Sequence, residues 1–213
     1  MVRFRLFGFP TRIEGTALVL AALLLAFGLR DGTPGSAVLM VVLGAGSILA
    51  HELGHAFMAR AFRLQPIEMA LHGFGGLTRH RRPNRPWKEL AVTLAGPAAG
   101  LGLAAVAFGV AIVAPGQARS VATQLGTLNL IWSVFNLLPV YPMDGGMALS
   151  ATLRMVAPAL ALPVTYGAGL TLSVGMVGLA LWAGEILIVL VLGTFVVQNA
   201  TQLHAWWASR AID

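Results

Sequence analysis

The chain has 213 residues, of which 57% are apolar and only 10% charged, and its mean hydropathy is +0.80. Soluble globular domains carry about 25% charged residues, so a water-soluble enzyme, a disordered chain and a collagen-like chain are all excluded and an integral membrane protein is expected. The net charge of +6 reads as cytoplasmic Arg and Lys fixing orientation rather than as a nucleic-acid footprint, and the absence of cysteine removes any disulfide framework, thiolate metal site or Cys nucleophile.

A bilayer-spanning helix needs roughly 20 apolar residues. The basic N-terminus leads into an apolar run over 15–29 with no small-residue cleavage pattern, so it is expected to be a retained span and not a signal peptide. It is the shortest run and depends on Arg12 and Arg30 snorkelling outward. The second span covers 36–62 and is interrupted by His51, Glu52 and His55. Residues 64–80 are too polar and glycine-rich to span. Ile67, Met69 and Leu71 alternate there and Gly73, Gly75 and Gly76 supply a turn, which predicts a β-hairpin at the cytoplasmic edge, with an irregular loop as the alternative.

The third span, 90–114, carries Ala95-Gly96-Pro97-Ala98-Ala99-Gly100, whose small residues at i and i+4 favour close helix approach; packing without chemistry is the preferred reading. The fourth starts near residue 121, breaks at Leu138-Pro139-Val140-Tyr141-Pro142 and resumes over 145–155. The fifth lies over 160–182, and the last runs from Ile186 to Trp206 and Trp207, which suit an interfacial aromatic belt. The expected fold is an all-α polytopic membrane protein of about six transmembrane helices with a small cytoplasmic-edge β-hairpin, forming a single membrane-embedded domain over 1–213. With the N-terminus in the cytoplasm, twelve of the 14 basic residues fall inside and only Arg30 and Arg119 outside, so both termini are expected to be cytoplasmic.

The residues that carry chemistry begin with His51-Glu52-Leu53-Gly54-His55. Positions i and i+4 share a helix face, so both imidazoles can reach one metal ion, with Glu52 beside them as general base. A charged residue at mid-membrane costs at least about 2.5 to 3.5 kcal/mol, so this cluster within an apolar helix calls for a metal and an aqueous cavity more than for a plain hydrogen-bonded polar cluster. A catalytic zinc keeps three protein ligands and one open position. Counting 1.5 Å per helical residue, His55 lies roughly 12 Å and Asp144 roughly 15 Å from the cytoplasmic surface. Glu14, Glu68 and Glu89 flank loops, Asp31 and Glu185 fall on the far side, and Asp213 is terminal, which leaves Asp144 as the best third ligand. His72, His80 and His204 read as solvated surface histidines. Pro139 and Pro142 disfavour helix just before Asp144, and irregular backbone at membrane depth is tolerated where it is buried or lines an aqueous cavity; a simple kink is the bland alternative.

Three stretches together resemble the site-2 proteases, intramembrane zinc metalloproteases: His51-Glu52-Leu53-Gly54-His55, Leu94-Ala95-Gly96-Pro97, and Asn136-Leu137-Leu138-Pro139-Val140-Tyr141-Pro142-Met143-Asp144-Gly145. The resemblance covers 36–155, the expected catalytic core, and implies one Zn2+ per chain held by His51, His55 and Asp144 with Glu52 as base. It further implies that Asn136 lies near the substrate groove, an interhelical hydrogen bond being the other reading. It implies that the 64–80 hairpin with Gly75 and Gly76 pairs with an unwound segment of a membrane-anchored protein substrate. The chain is expected to be a compact form without a PDZ or nucleotide-sensing CBS domain. The implied activity is intramembrane endopeptidase, with a role in regulated intramembrane proteolysis and the active site toward the cytoplasmic side of the cell membrane. The rival is a divalent-metal carrier lined by the same His51, Glu52, His55 and Asp144. Against it stand a glutamate directly after the first histidine, of little use to a carrier, and the absence of an internal repeat. A membrane zincin of another family would need a later glutamate ligand; Glu185 is the only candidate, and the topology puts it at the outer surface.

Overall fold

The computed structural model describes residues 1–30, 33–73 and 75–210. Asp31 and Asp213, which enter the sequence reading above, and Phe74, within the 64–80 stretch, lie outside the described residues. The described chain is mostly helical and forms two compact units, one of residues 1–83 and 95–135 and one of 84–94 and 136 onward.

In the first unit, strands β1 (Val2–Leu6) and β2 (Phe9–Ile13) form an antiparallel hairpin that the sequence reading did not anticipate. Its two-residue turn places both Phe7 (φ 48°) and Gly8 (φ 84°) in the left-handed region, the geometry whose twist matches a tight hairpin and which glycine adopts without cost. Helix α1 (Ala17–Leu29) follows, then α2 (Pro34–Ala61), started by Pro34 and by Thr33, whose side chain accepts from the Ser36 amide. The two helices approach closely where Gly28 meets Ala37 and Gly44 meets Leu24. The hairpin docks on the end of α2: Arg60 lies over the Phe9 ring at 3.8 Å and donates to the Phe7 carbonyl at 2.9 Å.

The expected second hairpin is present as β3 (Glu68–His72) and β4 (Gly75–Arg79), paired antiparallel with Met69 opposite Thr78. Strand β3 pairs in parallel with β2, so the sheet has four strands in the order β1-β2-β3-β4 and not two. Helices α3 (Pro86–Val113), from Ala95 on, and α4 (Gly116–Asn136), up to Phe135, complete this unit.

The second unit holds the first turns of α3, the non-helical segment 137–143, α5 (Asp144–Val156), a 3₁₀ turn (Pro158–Leu160), α6 (Ala161–Trp182) and α7 (Ile186–Arg210). The break before Asp144 falls where the two prolines required it. Glu89 and Arg154 form an ion pair at 2.5 Å between the start of α3 and the end of α5.

Among the described residues, four helical segments, α2, α3, α6 with its 3₁₀ lead-in and α7, are long and apolar enough to cross a membrane. Helix α1, with 13 residues, is short, and the region expected as a fourth span is two separate helices, α4 and α5.

Candidate metal centre

The site begins on α2. Helical spacing puts His51, Glu52 and His55 at 3%, 5% and 9% exposure, and their ligand atoms all lie within 4.8 Å of one another. His51 Nε2 and His55 Nε2 stand 3.2 Å apart. Two imidazoles on one tetrahedral zinc, each at about 2.0–2.1 Å, have their nitrogens about 3.3–3.4 Å apart. The donor set and its spacing therefore fit zinc.

The small-residue run on α3 explains how the neighbouring helix comes this close. A Cβ on Gly54 would overlap the Ala95 backbone, and one on Gly96 would overlap the His55 ring and fall 2.8 Å from His51 Nε2. Packing is indeed what the run does, and the surface that Gly96 packs against is the imidazole pair itself. Four residues on, the Ser133 side chain fills the space a Cβ on Gly100 would need. One turn before His51, buried Ser47 accepts from Asn129 Nδ2 at 2.8 Å, so the polar face of α2 extends beyond the three-residue cluster.

Strand β4 covers Glu52. The Thr78 hydroxyl lies 2.6 Å from Glu52 Oε2 and 3.1 Å from the Glu52 carbonyl, donating across both, and Gly76 lies so near the carboxyl that a Cβ there would overlap it. Gly75, at φ 128°, meets the Trp132 ring, which a Cβ would approach to 3.1 Å. Neither Thr78 nor Trp132 carried a signal in the sequence; their roles follow from the register of β4.

Asn136 and Asp144, also singled out in the sequence, belong to the second unit. Asn136 ends α4, and Asp144 is the first residue of α5, half-buried. Gly145 and Gly146 follow it, and a Cβ on either would overlap or crowd the backbone of Leu137, Leu138, Val140 and Tyr141. The segment before Asp144 is thus folded directly onto the first turn of α5. His80 is half-buried, its Nδ1 beside the Arg81 carbonyl at 2.9 Å.

Helices long and apolar enough to cross a membrane thus carry a His-Glu-x-x-His pair at zinc-ligand spacing. Comparison with known proteins agrees. The sequence pattern of Peptidase family M50 matches residues 38–124, which contain the α2 motif, the β3–β4 hairpin and Gly96. A Synechocystis sp. protein named as a candidate zinc metalloprotease is 33% identical, aligned over 92% of this chain and 57% of its own length. A Mycobacterium tuberculosis protein named in the same way is 35% identical over 70% of this chain and 42% of its own. The chain therefore spans about half the length of the curated relatives it matches. The solved site-2 protease from Methanocaldococcus jannaschii superposes with a TM-score of 0.73 over 95% of this chain and 94% of that one, at 23% identity, which establishes a shared fold. In sequence the chain is thus similar to Peptidase family M50 over residues 38–124, and in fold to the site-2 protease.

Proposed function

We propose that the protein is a zinc-dependent intramembrane endopeptidase that cleaves a transmembrane or juxtamembrane segment of a membrane-anchored protein, acting in regulated intramembrane proteolysis. The observation that carries the reading is the His51–His55 nitrogen pair at 3.2 Å with the Glu52 carboxylate beside it. His51, His55 and Asp144 hold one zinc ion per chain, with residues 1–213 acting as a single catalytic domain. Zinc, when bound, supplies Lewis acidity toward the scissile carbonyl and makes water nucleophilic near neutral pH.

The chain's own groups do the rest. Glu52 takes a proton from the attacking water and delivers it to the leaving amine nitrogen. Thr78 fixes Oε2 of that carboxylate, so its orientation is set before substrate arrives. A helical substrate hides its peptide bonds in hydrogen bonds and has to unwind to react. Strand β4 ends the order of the sheet, and an extended segment can add to it by main-chain pairing, with Gly75, Gly76 and Asn136 lining the groove. The protein sits in the cell membrane as about six spans, both termini cytoplasmic and the site toward the cytoplasmic side, as the distribution of basic residues favours.

The test is Glu52→Gln in detergent-purified protein. Zinc content by elemental analysis should stay at the wild-type level while cleavage of a membrane-anchored reporter is lost. Cleavage by this variant at the wild-type rate overturns the mechanism, and loss of zinc from it reassigns Glu52 as a ligand.

A further inference from the structure

Asn199 lies in the middle of α7, outside the 36–155 stretch that carries the family resemblance, and is 0% exposed. A buried amide in an apolar helix needs a reason, because an unsatisfied polar group costs about 1–3 kcal/mol. Its Nδ2 donates to the Tyr141 carbonyl at 2.6 Å and to the Phe195 carbonyl of its own helix at 2.8 Å. Both neighbours are acceptors, which fixes the amide with its nitrogen toward them. Oδ1 has no hydrogen-bond partner among the described residues and rests where a Cβ on Gly169 of α6 would have to go. The amide thus uses α6 only for room. Its outgoing bond is to residue 141, in the non-helical segment three residues before Asp144.

That segment transmits whatever holds it. Val140 N donates to the Leu138 carbonyl at 2.7 Å, Met143 N to the Val140 carbonyl at 2.8 Å and Met147 N to the Met143 carbonyl at 3.0 Å, a chain of backbone bonds leading into α5. Gly145 and Gly146 sit on the same backbone with no space for a side chain, so a shift at Tyr141 has no slack to absorb it before Asp144. At the other end of α5, Arg154 is tied to Glu89. We infer that Asn199 is a positioning residue for Asp144, fixing through the Tyr141 carbonyl the backbone that presents this carboxylate to zinc. The inference rests on the assignment of Asp144 as a ligand in the preceding subsection.

The test uses the whole 213-residue, detergent-purified chain with three variants: Asn199→Leu, which keeps the branched shape and removes the donor; Gly169→Ala, which crowds the amide from α6; and Asp144→Ala as reference. Two quantities are measured, the rate of zinc release to excess EDTA and the visible spectrum of the cobalt(II)-substituted protein, which reports ligand set and geometry. Circular dichroism establishes that each variant is folded. The expected result is zinc release at least about tenfold faster in Asn199→Leu and Gly169→Ala. Their cobalt spectra should also move toward that of Asp144→Ala at unchanged helicity, a shift that a role in α6–α7 packing alone would not produce. If Asp144→Ala changes both readouts while folded Asn199→Leu keeps wild-type release and spectrum, the role of Asn199 is overturned and the ligand assignment stands. Gly169→Ala decides in the same way should Asn199→Leu fail to fold. If Asp144→Ala itself leaves both readouts at wild type, the ligand assignment falls and this inference falls with it.

Discussion

The two units bring polar groups into an apolar protein by opposite means. The first keeps its helix unbroken: α2 runs through His51, Glu52 and His55, and the accommodation is made by partners that give up side chains, Gly54 and Gly96 at the α2–α3 contact and Gly76 over Glu52. The second breaks its chain: Asp144 follows seven non-helical residues, and the glycines lie directly after the acid, letting α5 close onto the irregular backbone. Where a helix supplies the ligands, spacing is guaranteed by hydrogen bonds within the helix, and only neighbours need tailoring. Where the chain breaks, the backbone itself has to be held, and Asn199 donates to the Tyr141 carbonyl within that break.

The contrast can be attacked experimentally, starting from the strongest expected effect. Glu52→Gln should lower kcat by about 10²–10⁴ with zinc retained, measured as single-turnover cleavage of a reporter alongside metal analysis. A smaller loss would shift the burden of proton transfer away from α2. Gly96→Ala should weaken zinc binding by more than about tenfold, read by competition with a chromophoric chelator, because the added carbon occupies the space of the imidazole pair. Unchanged affinity would mean that the first unit yields as readily as a loop and would dissolve the contrast. Thr78→Val removes a hydrogen bond to a carboxylate worth about 1.5–3 kcal/mol, so kcat should fall by about tenfold to a hundredfold with KM nearly constant. Recovery in Thr78→Ser would sharpen the case that the hydroxyl, and not the bulk of the strand, orients Glu52. The smallest effect belongs to Glu89→Gln, which loosens the far end of α5. The Glu89–Arg154 pair is part-exposed, so the expected cost is under about 1 kcal/mol, a drop of about 2–4 °C or less in the thermal midpoint in detergent.

The same contrast explains what could be read from the chain. The clustering of His51, Glu52 and His55 was legible because the four-residue period is local, and the break before Asp144 was legible because the prolines sit together there. The β3–β4 hairpin was visible in the alternation of Ile67, Met69 and Leu71. The β1–β2 hairpin alternates too, Val2, Phe4 and Leu6 against Arg3 and Arg5, yet its arginines read first as markers of membrane side. Its parallel pairing with β3, Thr11 opposite Met69, joins residues with a whole helical hairpin between them and leaves no local trace. Thr78 and Asn199 were not legible for the same reason, since each acts on a residue far away in sequence. The fourth apolar stretch was read as one broken span because hydropathy does not distinguish a kink from two helices; α4 starts at Gly116, earlier than its hydropathy suggested, and α5 is a helix of its own.

Helix α1 sets a condition on the surrounding lipid. Its 13 residues rise about 20 Å, against a hydrocarbon layer of about 30 Å, and it lies along α2, the helix that carries the histidines. A bilayer crossed by a helix this short thins, or the flanking residues snorkel, at a cost of fractions of a kcal/mol per ångström of mismatch. Placed across a bilayer, α1 would make acyl-chain length a variable of this protein's energetics: a membrane of shorter chains would relieve the mismatch, and a thicker, more ordered one would increase it where α1 and α2 meet.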